Sequence, residues 1–76
     1  MGEKNCFKLR PELVKRAREL REKWKNGKLN FDDALELYGI LYLEEEIALQ
    51  SDDLAMALII GLMRVLLGLK IRDLAK

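Results

Sequence analysis

Between Leu54 and Leu69 the chain reads LAMALIIGLMRVLLGL, sixteen residues in which Arg64 is the only polar side chain. A surface helix carries one apolar stripe, whereas a helix that is apolar all round must be covered all round. This segment therefore limits the fold more than any other. The chain has 76 residues, one domain's worth, and such a domain buries only about 60% of the surface its unfolded form exposes. Domains of this size usually gain stability from disulfides, a metal or a partner subunit. Cys6 is the sole cysteine and histidine is absent, so an intrachain disulfide is excluded and a zinc site lacks its usual ligands. Association remains.

Helix signals are strong. Pro11 suits a first helical position and Glu12 favours the positive end of the helix dipole. Leu13, Ala17, Leu20 and Trp24 recur at spacings of four, three and four, one narrow stripe on a helix over about 11–25 that Asn26-Gly27 ends. Asn30 is a good N-cap for a second helix over Phe31–Gln50, with Asp33 in a weak capping-box position. Ser51-Asp52-Asp53 supplies capping chemistry for a third, running to about Ile71 or Leu74. No Gly or Pro separates Gln50 from Leu54, so one long helix competes with a tight break, and the bunched capping residues favour the break. Residues 1–10 read as an irregular lead-in, with Cys6, Phe7 and Leu9 available to touch a core, and 11–76 as a single helical domain.

On the second helix Ala34, Leu35, Leu37, Tyr38, Leu41, Tyr42, Ala48 and Leu49 form a broad apolar arc with Phe31, and Glu45 falls inside it. Ile40, Leu43 and Ile47 form a smaller strip on the other side. Ala57, Gly61 and Gly68 lie along one side of the third helix beside Arg64, and small residues at such spacing let helices approach closely. These residues, with Ile60, are the candidate protein interface: Ile40, Leu43, Ile47, Ala57, Ile60, Gly61, Arg64 and Gly68. An alternative for Gly61 and Gly68 is room for a bulky neighbour such as Trp24 or Tyr42. Glu45 and Arg64 are the two charges in apolar surroundings, and as an ion pair each would relieve the other's desolvation.

A net charge of +1 conceals segregation. Lys8–Lys28 carries nine basic and three acidic residues, Asn30–Asp53 eight acidic and none basic, and Leu54–Lys76 is again basic by three. Lys15, Arg16, Arg18, Arg21, Lys23 and Lys25 on the first helix are candidate phosphate contacts. The competing reading is that they answer the acidic second helix. Abundant charge with few amides also resembles hyperthermophile composition. Without histidine, with Ser51 placed as a cap and Cys6 near the start, nucleophilic catalysis lacks its parts, so no enzyme, cofactor or metal is expected. A membrane span needs about 20 apolar residues, more than this run supplies. The absence of an apolar leader and the lone thiol point to the cytoplasm.

The run Gly27–Tyr38, GKLNFDDALELY, resembles the hairpin corner of tetratricopeptide-type and microtubule-interacting-and-trafficking domains. Both bind peptides or partner helices in grooves, and the apolar third helix departs from both. The expectation is an all-α three-helix bundle with a central apolar third helix, completed by dimerisation or a partner subunit. Its expected role is a non-catalytic interaction module, an assembly or accessory subunit. The alternative is an accessory subunit of a nucleic-acid-processing complex that brings the first helix to phosphates; a membrane-peripheral protein packing through the third helix ranks behind it.

Overall fold

A computed structural model describes residues 10–76. The lead-in and its Cys6, Phe7 and Leu9 lie outside the described residues, apart from Arg10. The fold is an all-α three-helix bundle, with α1 at Pro11–Lys25, α2 at Phe31–Gln50 and α3 at Leu54–Leu74. Arg10 is extended and makes no side-chain cap; its carbonyl accepts from the Leu13 and Val14 amides at 2.9 and 3.0 Å. Pro11, having no amide hydrogen, opens α1 without wasting a donor.

Both turns are made the same way. Lys28 N–H donates to the Lys23 carbonyl and Gly27 N–H to that of Trp24, with Gly27 at φ +71°. Asp53 N–H donates to the Ala48 carbonyl and Asp52 N–H to that of Leu49, with Asp52 at φ +57°. Each is a Schellman end, in which one left-handed residue lets the chain recover two orphan carbonyls. Gly27 announces its role in sequence. Asp52 does so weakly, because aspartate tolerates that conformation without requiring it. The following helices start at once: Asn30 Oδ1 accepts from the Asp33 amide at 2.8 Å, and Asp53 Oδ1 from that of Met56 at 3.1 Å.

α2 and α3 form an antiparallel hairpin. Glu45 of α2 lies at Gly61 and Arg64 of α3, and Tyr38, two turns earlier, lies at Arg64 and Gly68. α1 runs across this hairpin, not along it. Arg16 and Lys23, two turns apart, both reach Asp33, whereas Arg21 between them reaches Glu44. Ala17 and Leu20 of α1 join Leu29, Ala34, Leu37, Ile40, Leu41, Ile60 and Leu67 in one core, with Trp24 and Leu13 packed at its edge. The helix with neighbours on two sides is thus α2. α3 leans on α2 and meets α1 through side chains alone.

Leu20, Leu37, Leu41 and Leu67 are fully enclosed, so truncating any of them to Ala is expected to cost about 2–5 kcal/mol. That is a large part of the about 5–15 kcal/mol holding a typical domain folded, and urea titration followed by circular dichroism reads it directly. Gly39 sits inside α2 with nothing near the position a Cβ would take. Gly39→Ala is expected to raise stability by about 0.5–1 kcal/mol through helix propensity, measured the same way.

Candidate functional site

The middle of the α2–α3 seam holds a polar cluster built from four side chains. Tyr38, Tyr42 and Glu45 recur at helical spacing along α2, so all three face Arg64 across the seam. Arg64 Nε donates to Glu45 Oε1 at 2.8 Å, its Nη2 lies 2.6 Å from the same oxygen, and its Nη1 donates to the Tyr38 hydroxyl at 3.2 Å. Its guanidinium carbon stands 5.6 Å from the Tyr38 ring centre and 5.4 Å from that of Tyr42, within cation–π range. The hydrogen bonds it donates to Tyr38 and Glu45 hold Arg64 above its ordinary pKa, so it stays charged. The expected Glu45–Arg64 ion pair exists, half-buried and within one chain. The tyrosines completing it were not among the candidate residues, although their spacing from Glu45 was a usable signal.

Two glycines border this cluster. A Cβ on Gly61 would come 3.1 Å from Glu45 Oε2, and one on Gly68 would lie 3.7 Å from the Tyr38 ring. Gly61 makes room for a neighbour within the chain, as one reading of the sequence had it, but for Glu45 in place of Trp24 or Tyr42, whereas a Cβ at Gly68 would meet the Tyr38 ring at an ordinary contact distance. Ile40, Ala57 and Ile60 are buried within the protomer. Six of the eight candidate interface residues therefore either line the α2–α3 seam or are enclosed: Ala57, Ile60, Gly61, Arg64 and Gly68 on α3, and Ile40 on α1's side of α2. Ile47 is half-buried and Leu43 exposed. The physical reason is that α1 crosses α2 on the side of the smaller strip, which leaves the other flank of the broad arc open.

The apolar surface left open lies elsewhere. Leu58, Ile59, Leu62, Val65, Leu66 and Leu69 of α3 are each more than half exposed, and Phe31, Leu35, Tyr42 and Leu49 continue the open surface on α2. On a helix the α3 residues form one stripe pointing away from the core. The signal was present in sequence as spacings of three and four, hidden by the apolar residues between.

α1 answers α2. Arg16 Nε donates to Glu36 at 2.8 Å and Lys23 Nζ to Asp33 at 2.9 Å, while Arg21 lies 3.4 Å from Glu44. Lys15, Arg18 and Lys25 make no ion pair with another described residue. The six candidate phosphate contacts are thus divided, and half of that charge is directed at the bundle. The Asp33 carboxyl is shared between these cations and the Asn30 backbone amide. Lys23 holds it below the ordinary range, as Arg16 does the carboxyl of Glu36.

Comparisons with protein-family models, curated proteins and solved structures returned no match. The resemblance of the Gly27–Tyr38 corner therefore assigns no family.

The two depressed carboxylates set a pH dependence. A carboxyl whose folded pKa lies below its unfolded value stabilises the fold at neutral pH and loses that contribution as protons bind. Stability is expected to be flat above about pH 5 and to fall as the pH drops through about 4 and below. In thermal melts across that range, Asp33→Asn with Glu36→Gln should flatten the slope while lowering the neutral melting temperature.

Proposed function

We propose that this protein is a non-catalytic helical interaction module, an assembly or accessory subunit that docks through the open face of α3. The observation that carries the reading is the stripe Leu58, Ile59, Leu62, Val65, Leu66 and Leu69, contiguous and more than half exposed. Scattered exposed leucines are ordinary, whereas a contiguous apolar patch on a small chain marks an interaction surface. Burying a whole aliphatic side chain is worth about 1.5–3 kcal/mol, so covering these half-exposed ones gives about 1 kcal/mol each. The total from one side is on the scale of the about 4–15 kcal/mol that association costs. A partner with a similar apolar face of its own is therefore favoured over a merely polar surface.

α3 is also long and apolar enough to cross a membrane by length and composition. One helix of that kind is weak support for a membrane role, and Arg64 at its middle is tied to Glu45 and Tyr38 of the acidic α2. A protein partner fits better. The nucleic-acid reading is weakened by Arg16, Arg21 and Lys23, whose charges meet α2.

Leu62→Glu together with Leu66→Glu tests the reading, since both side chains point outward and the fold does not need them. The double variant is expected to keep the parent's helical circular dichroism while losing binding of an apolar fluorescent dye and losing association in light scattering or co-purification. If parent and variant behave alike in dye binding, mass and retained proteins, the docking reading fails.

A further inference from the structure

We propose that the α3 stripe is covered by a second copy of this chain, its α3 lying antiparallel along the first. The inference rests on the reading of α3 as a protein-docking face and adds the partner and its direction. Its first support is spacing. Ala55, Leu58, Leu62, Val65, Leu69 and Arg72 follow one another at alternating steps of three and four, and all six are exposed. That is the seam of a helix made to pack along another helix, with each side chain entering a gap between four of its neighbour's.

The seam also fits itself. Reversed and laid on its own copy, it sets Leu58 against Leu69 of the second copy and Leu62 against Val65 of the second copy. Ala55, the smallest member, then faces Arg72 of the second copy, whose aliphatic stem needs the room. Ile59 and Leu66 flank the seam on one side, and the same reversal brings Ile59 beside Leu66 of the second copy. An isologous contact of this kind closes on itself as a dimer and leaves no sticky end to propagate.

Charge decides the direction. Asp52 and Asp53 stand exposed before the first turn of α3, while Lys70, Arg72 and Lys76 lie at its other end, with Asp73 as the one acid there. An antiparallel pair sets each acidic end beside the basic end of the other copy and opposes the helix dipoles. A parallel pair would set acid on acid, base on base, and align the dipoles. The broader apolar strip of Phe31, Leu35, Tyr42 and Leu49 then flanks the joined helices and makes the assembly a bundle with α1 on the outside.

Cysteine pairing reads both partner and direction. In a Cys6→Ser background, Leu58→Cys and Leu69→Cys chains are prepared separately, then mixed and oxidised. The expected result is a disulfide-linked dimer in the mixture and little in either variant alone. In the antiparallel pair two copies of position 58 stand eleven residues apart, about 16 Å at 1.5 Å per residue. Light scattering of the unmodified protein should give twice the 8.8 kDa chain mass. Disulfides in each variant alone would show a parallel pair and overturn the proposal. A monomeric parent would overturn it too. If that monomer still loses dye binding and a heterologous partner on Leu62→Glu with Leu66→Glu, the docking reading survives. If it instead binds neutral phospholipid vesicles through those residues, both readings fall.

Discussion

A helix that leans on one neighbour along its length and is crossed by another keeps a wide arc of its circumference open. α3 is apolar around nearly that whole circumference, and α2 and α1 together take up only the arc from Ala57 through Ile60 and Leu67. Everything unusual about the protein follows from this mismatch between the apolar surface the chain carries and the surface two short helices are able to enclose. The enclosed arc forms the core. The open arc, from Leu58 to Leu69, stays exposed in the single chain.

The seam between α2 and α3 is what orients that open arc. Apolar helices slide and rotate against each other at little cost, because one aliphatic contact resembles the next. The Arg64 guanidinium, held by Glu45 and Tyr38 and flanked by the Tyr42 ring, singles out one rotation and one register, since any slip would leave a half-buried charge without its partner. Gly61 permits that geometry by leaving space for the carboxylate. Arg64 thus acts within the chain, and the register it fixes determines which face of α3 is left exposed.

Charge segregation does a second task at the other seam. α1 has a narrow apolar stripe and crosses α2 steeply, so its burial alone is modest. Arg16, Arg21 and Lys23 reach Glu36, Glu44 and Asp33, and the bases of α1 thereby relieve the mutual repulsion of the acidic α2. Such exposed pairs are individually weak. Their value lies in fixing how α1 is laid across the hairpin, and with it which side of α2 is closed.

The helices and their ends were legible in sequence, because Pro11, Asn26-Gly27, Asn30 and Ser51-Asp52-Asp53 act locally through backbone hydrogen bonds. The meeting of Glu45 with Arg64 was legible too, because two charges in apolar surroundings have few other ways to be satisfied. The division of apolar residues between core and surface was not. Ile40 and Leu58 are equally apolar to any reading of composition, yet one is enclosed and the other open. Only the crossing direction of α1 and the rotation of α3 against α2 separate them. Those depend on contacts between residues distant in the chain, which no local signal encodes.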